Sequence, residues 1–354
     1  RASYGSTGSD QIGDYQYFNT YGTTGIQYAG AIGLEPTRLF NPNFAWETNR
    51  KLELGTEVGL FGDRVFVTAA WYRNTSGNQL TGIPLPATTG FQSVQANLNA
   101  VVRNTGLEVT LRTENIASGN FKWTSSLNIS FSRNRLVSFP GLEGSTYASY
   151  YAVGQPISIQ KLYQYEGIDP VTGIYKFADL NGDGSVDYLD MSKTADLSPK
   201  FFGGLHNEFR YKSLRLEFLV QFVKQRNRDQ ALTMGFGGGM NNQSVAMLDH
   251  TQTGGTAGAT QIYTAGFNEQ AVMASYMYSS SDAVITDASF ARLKNIALTW
   301  DVPTAKSTGV ACQLTLQAQN LLTITPYKGG DPEFPAGGYL PPLRTITAGI
   351  GFSF

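Results

Sequence analysis

Apolar and polar residues alternate along much of this chain with the two-residue period of β-strands. In "FKWTSSLNISF", Phe121, Trp123, Leu127, Ile129 and Phe131 share one parity, broken only by Ser125. Lys122, Thr124, Ser126, Asn128 and Ser130 take the other. In "RLEFLVQF", Leu216, Phe218, Val220 and Phe222 oppose Arg215, Glu217 and Gln221. The final stretch, "RTITAGIGFSF", sets Ile346, Ala348, Ile350, Phe352 and Phe354 against Thr345, Thr347, Gly349, Gly351 and Ser353. Further strands are predicted at Leu52–Leu60, Arg64–Tyr72, Asn104–Arg112, Phe201–Tyr211, Ser289–Trp300 and Val310–Asn320, with a fragment at Arg1–Gly5. Segments of about 9–12 residues are long enough to cross a bilayer when tilted, whereas strands of soluble sandwiches are usually shorter.

The connections decide between the two. Short ones are expected at Phe61–Asp63, Thr113–Asn120, around Lys212 and at Asp301–Gly309. Long ones alternate with them, at Ser6–Lys51, Arg73–Arg103, Arg133–Lys200, Arg226–Ala288 and Leu321–Leu343. Long loops at every second connection are foreign to compact soluble domains but usual in outer-membrane barrels, where turns are periplasmic and loops extracellular. The predicted fold class is therefore all-β, an antiparallel transmembrane β-barrel wall of about ten strands. Apolar parities, with Trp123, Phe131, Leu216, Phe218, Phe352 and Phe354, should face lipid, and Lys122, Glu108 and Arg215 the lumen. Glu108, Glu208 and Glu217 are expected to pair there with Arg112, Arg210 and Arg215.

Composition agrees with this reading. The 354 residues include 39 Gly, 19 Tyr and 21 Phe, only 15% are charged, and the formal net charge is -1. Such neutrality gives no electrostatic reason for nucleic acid as a partner. Cys312 is the single cysteine and His206 and His250 the only histidines, which leaves little for disulfides, zinc or His-based catalysis. No nucleophile–base constellation is visible, so no enzyme is expected. The opening "RASYGSTGSD" has no basic-then-apolar leader and reads as the middle of a longer protein.

One stretch carries metal chemistry. In "FADLNGDGSVDYLD", Asp179, Asn181, Asp183, Ser185, Asp187 and Asp190 fall at positions 1, 3, 5, 7, 9 and 12 of a calcium loop, with Gly184 at position 6. Side-chain oxygens of Asp179, Asn181 and Asp183 and the carbonyl of Ser185 would ligate Ca2+, with Asp187 direct or through water and Asp190 closing the sphere. The alternative is a plain polar turn, since Asn-Gly and Asp-Gly favour turns. If the C-terminus is periplasmic, counting strands back puts this loop, 133–200, outside the cell, where calcium is millimolar. The role expected is structural. The cluster Tyr147, Tyr150 and Tyr151 in "STYASYYAVG" offers aromatic faces for a sugar ring, against loop packing as the plainer reading.

Several segments together resemble the C-terminal half of SusC-like (starch-utilisation, RagA-type) TonB-dependent outer-membrane transporters. They are "FAWETNRKLELGTEVGLFGDRV" (Trp46, Glu47, Gly55, Gly59), "NAVVRNTGLEVTL" (Asn99, Asn104, Gly106, Glu108), "YEGIDPVTGIYKFADLNGDGSVDYLD", "SPKFFGGLHNEFRYKSLRLEF", "DASFARLKNIALTWDVP" and "QNLLTITPYKGGDPE". The resemblance runs from about residue 40 onward. It implies a barrel of about 22 strands with an N-terminal plug. It further implies import of oligosaccharides or peptides, a SusD-like lipoprotein at the mouth and coupling to the TonB complex. The terminal Phe354 resembles the family's signal for the barrel-assembly machinery. The plug and first strands are expected to lie outside this sequence, so Arg344–Phe354 should not pair with Arg1–Gly5. A non-transport structural or secretion-linked barrel is the alternative.

Overall fold

The computed structural model describes residues 1–9, 18–39, 41, 43, 45–233, 235–252, 258–303, 310–334 and 340–354. Ten strands form the wall: β1 (Ala2–Ser9), β2 (Glu47–Leu60), β3 (Val65–Gly77), β4 (Val101–Ser118), β5 (Phe121–Ser138), β6 (Phe201–Tyr211), β7 (Leu214–Lys224), β8 (Phe290–Val302), β9 (Ala311–Ile324) and β10 (Thr345–Ser353). They hydrogen-bond in sequence order, with β1 and β10 as the two edges. The predicted count holds.

Most wall strands are longer than the alternation suggested. β4 and β5 each reach 18 residues, so the connection expected at Thr113–Asn120 shrinks to the turn Gly119–Asn120. The loop expected to start at Arg133 starts instead after Ser138. The other described tight turns are Phe61–Arg64 and Lys212–Ser213, while the connection predicted at Asp301–Gly309 falls mostly on 304–309, outside the described residues.

The chain divides into two compact units, one of residues 1–55, 70–107 and 133–157, the other of 56–69, 108–132 and 158–354. In the first, β1 pairs antiparallel with the start of β2, from Ala2 opposite Leu54 to Ser9 opposite Glu47. Two hairpins, Thr20–Tyr28 with Ala31–Arg38 and Gln79–Pro84 with Ser93–Leu98, fold within its long connections. Its core is Ala100, Leu136, Phe139 and Leu142. The motif glycine Gly106 sits under the ring of Tyr72, where an added Cβ would lie 2.5 Å from the ring. Asn104 accepts from the Asn134 amide at 2.6 Å, and Asn134 in turn caps the Ile157 N–H.

In the second unit, cross-strand register turns the alternation into two continuous faces. Trp123 lies opposite Phe209, Phe209 opposite Leu216, Leu216 opposite Leu298, Leu298 opposite Leu316, and Leu316 opposite Ala348. The next row on that face runs Ser125, Asn207, Phe218, Ile296, Ala318, Ile346. Leu316, Ile346, Ile350 and Phe352 are more than half exposed, as a lipid-facing surface requires. Its two polar members are satisfied by hydrogen bonds. Asn207 accepts from Trp123 Nε1 at 3.0 Å and from Ser125 Oγ at 2.6 Å, and Ser125 accepts from the Asn115 amide at 2.7 Å. The opposite face carries Lys122, Arg210, Arg215, Thr299 and Thr315 in one row and Thr124, Glu208, Glu217, Ala297 and Gln317 in the next.

That register corrects the expected ion pairs. Glu208 stands opposite Glu217 and Arg210 opposite Arg215, like against like. Among the described residues, the salt bridge on this part of the face is Lys122 with Glu114 at 3.0 Å, rather than any pair among Glu108, Arg112, Glu208, Arg210, Arg215 and Glu217. Sequence spacing assigns a charge to a face, whereas the neighbour across the ladder depends on register.

Candidate functional site

Three features stand out: the inner face, the folded long loops, and the loop at Asp179–Asp190. On the polar face, near the tight turns, a cavity of about 570 Å³ is lined by Asp63, Arg112, Glu114, Lys122, His206 and Glu208 among others. Mixed charges and water access suit a polar lumen. They form no nucleophile–base pair.

The long connections of the second unit are folded elements rather than slack chain. Antiparallel strand pairs Ile159–Leu162 with Lys193–Asp196, Tyr165–Ile168 with Tyr175–Phe177, and Arg226–Arg228 with Ile285–Asp287 join helix α1 (Glu269–Ser279), whose first turn is capped by Asn268. Their core gathers Leu162, Tyr175, Phe177, Ala195, Ala274, Tyr278, Val284 and Ile285. Tyr175 and Tyr278 stack at 4.2 Å, with Tyr165 edge-on to both. Burial pushes the Tyr165 hydroxyl up to about 12, helped by the neighbouring Tyr278. Hydrogen bonds also cross between the two connections, from Tyr165 N–H to Asp282 Oδ1 at 2.9 Å and from Tyr175 N–H to Gln261 Oε1 at 3.2 Å. The connection carrying Asp179–Asp190 is thereby fused to the connection carrying α1.

Within Asp179–Asp190, the predicted ligands organise the loop's own backbone. Asp179 accepts from the N–H groups of Gly182 at 2.7 Å and Gly184 at 2.8 Å. Asn181 accepts from Asp183 N–H, Asp183 from Ser185 N–H, and Asp187 from Leu189 N–H. Gly184 takes φ 87, a conformation that favours glycine. Asp190 differs from the rest. Its side chain is fully buried and accepts three N–H groups, from Leu180 at 2.7 Å, Asn181 at 3.1 Å and Asp187 at 2.9 Å. The Asp187 N–H bond, with those of Leu180 and Asn181, holds the Asp190 carboxyl below the ordinary carboxylate range despite burial.

Among the described residues, no three His, Cys, Asp or Glu side chains are already gathered as a metal cluster. The donor set nevertheless fits a hard cation. Each oxygen that accepts one N–H keeps a further lone pair. The four Asp carboxylates have no salt-bridge partner among the described residues, and Asp187 and Asp190 add to burial in raising the Tyr163 hydroxyl pKa. The capping box in which Asp187 and Asp190 hold each other's turn is a contribution that ligand spacing did not reveal.

The tyrosine cluster divides. Tyr147 stacks on Tyr151 at 6.1 Å and tilts against Phe139 at 5.6 Å, so both serve the first unit's core. Tyr150 is 67% exposed and free to meet a ligand.

Residues 1–321 match the family described as TonB dependent receptor-like, beta-barrel. TonB-dependent receptor P3 of Formosa agariphila is 27% identical over the whole chain, which covers 39% of that relative. TonB-dependent receptor SusC of Bacteroides thetaiotaomicron is 25% identical, again over the whole chain and 37% of its own length. Among solved structures, the RagAB peptide importer in its open-open state aligns with a TM-score of 0.79 at 25% identity, covering 100% of this chain and 40% of that one. Its closed-closed state gives 0.75 at 26% identity, over 99% of this chain and 40% of that one. The chain thus spans about two fifths of the length of the relatives it matches.

Proposed function

The chain belongs to the TonB-dependent receptor β-barrel family of the bacterial outer membrane, and from that premise we propose that it is the transmembrane wall of an importer for oligosaccharides or peptides. The observation that carries this is the two-faced sheet of the second unit, whose strands are joined by folded loops at one end and tight turns at the other. The match to SusC and to the RagAB importer over the full chain supports it. Import would be driven by the TonB complex through parts of the receptor outside this sequence, with a SusD-like lipoprotein at the extracellular mouth. The barrel-assembly machinery would insert the wall through β10 and Phe354, and membrane lipid would solvate the apolar face. Purifying the full-length receptor tests the partnership. A stoichiometric surface lipoprotein should accompany it, and its absence from gentle extracts would remove the SusD-like assignment.

The calcium assignment belongs to the same reading. Asp179, Asn181, Asp183 and Asp187, with the Ser185 carbonyl, would hold Ca2+, whereas Asp190, expected from its spacing to close the sphere, already accepts three backbone N–H groups and is assigned instead to holding the loop's turn. The ion would supply positive charge to a carboxylate cluster that has no salt-bridge partner among the described residues, so its role is to rigidify the loop. Calcium titration by calorimetry tests this, and heat absent in the native receptor and unchanged in Asp183→Ala would refute it. Tyr150 is the residue of the aromatic cluster we assign to ligand contact.

A further inference from the structure

The structure of the last long connection points beyond general import. Arg292 lies on the inner face of β8, in the row that joins Gln221 to Thr323, two residues from the strand's loop end. Its side chain is 1% exposed, as buried as Ala297 and Thr299 further along the same face. Arg292 Nη2 reaches Asp331 Oδ2 at 2.6 Å, Nη1 reaches Glu333 Oε2 at 2.6 Å, and Nε donates to Thr323 Oγ1 at 2.9 Å. Lys294, the extra residue of a β-bulge opposite Leu219 and Val220, is turned to the same Glu333 at 3.0 Å. A bulge is a device for re-aiming one side chain. The segment carrying both acids is pinned again further back, where the buried Tyr327 donates its hydroxyl to Arg228 O at 2.6 Å.

We propose that residues 325–334 are a strap folded inward onto the polar face of β7 and β8, latched by Arg292, which narrows the extracellular mouth of the passage. The direction of the fold follows from the register. An arginine on the outer face could hold a loop over the rim, but one on the inner face draws its two carboxylates into the lumen. Burying a cation so fully at a water-filled surface is tolerable because both acids and Thr323 satisfy it. The solute therefore passes beside a fixed, mixed-charge surface, and the strap contributes to the size limit of what is admitted. Arg292 is a positioning residue in this scheme. The inference takes the polar face to be the lumen, yet its test does not depend on uptake or on substrate identity.

The test uses the purified full-length receptor with Cys312→Ser and a single new thiol at Gln221→Cys, whose native side chain donates to Glu333 at 3.4 Å beneath the strap. A membrane-impermeant maleimide should label this thiol at least tenfold faster when Arg292→Met is added. Thr347→Cys, exposed on the same face of β10, should label at one rate in both backgrounds, which separates strap release from general loosening. Equal rates at Gln221→Cys with and without Arg292, in receptor that keeps its heat-modifiable migration, would overturn the strap. If Arg292→Met does not assemble, Tyr327→Phe is read instead. It removes the hydroxyl that donates to Arg228 O and meets the Gln230 backbone, so faster labelling supports the proposal and an unchanged rate counts against it.

Discussion

At the scale of single residues, the wall depends on positions where only one side chain fits. Gly106→Val would drive a side chain into the Tyr72 ring, because even a Cβ there comes within 2.5 Å. Overpacking of this kind costs about 1–3 kcal/mol. The variant should lower the temperature at which the folded band converts on a gel, and Tyr72→Ala should recover part of the loss. Asp190 supplies a second residue-scale expectation. Its carboxyl pKa is lowered in the folded loop, so the ionised form is the one folding favours. That stabilisation is present above the unfolded value near about 4 and is lost as pH falls through the lower folded value. Protease protection of 179–190 should fall on acidification in that window. Asp190→Asn should lower protection at neutral pH and weaken the acid response, and an unaltered acid profile would assign the response to other carboxylates.

At the scale of elements, the two faces of β5–β10 make a sharp prediction. Spin labels at Leu316 and Gln317, adjacent on β9, should report oxygen-rich lipid and water-soluble reagent respectively. The reverse would mean a register slip that places the Arg210–Arg215 row in hydrocarbon, at about 2–4 kcal/mol for each midplane cation. The loop elements predict coupling. Tyr278→Ala empties the stack with Tyr175 and Tyr165, costing roughly 3 kcal/mol. Hydrogen exchange should then rise in 159–178 as well as in α1, whereas a rise confined to α1 would show the two connections to be independent. The wall strands were legible in the sequence because alternation is a direct imprint of a two-faced sheet. Their ends were not, since β4 and β5 continue past the apolar band, as Thr113, Glu114 and Asn115 show. Helix α1 was hidden because the alanine, tyrosine and methionine residues of "EQAVMASYMYS" give no one-sided stripe. The metal-loop spacing was readable, but the burial of Asp190 was not, because bonds from a side chain to nearby backbone leave no periodic mark. Arg292 escaped notice for a similar reason. Its two acids lie about forty residues away, joined to it only by the fold.

At the scale of the whole molecule, a sheet with one apolar and one polar face and folded loops between its strands is the architecture of an outer-membrane barrel wall. The family relationship places that wall in the outer membrane. Energised import is the activity proposed for the full-length receptor. It is tested most directly by following labelled oligopeptide and oligosaccharide pools into cells that carry the full-length receptor, with TonB present or deleted. One pool should accumulate only when both receptor and TonB are present. Uptake of neither pool, or equal uptake without TonB, would contradict it.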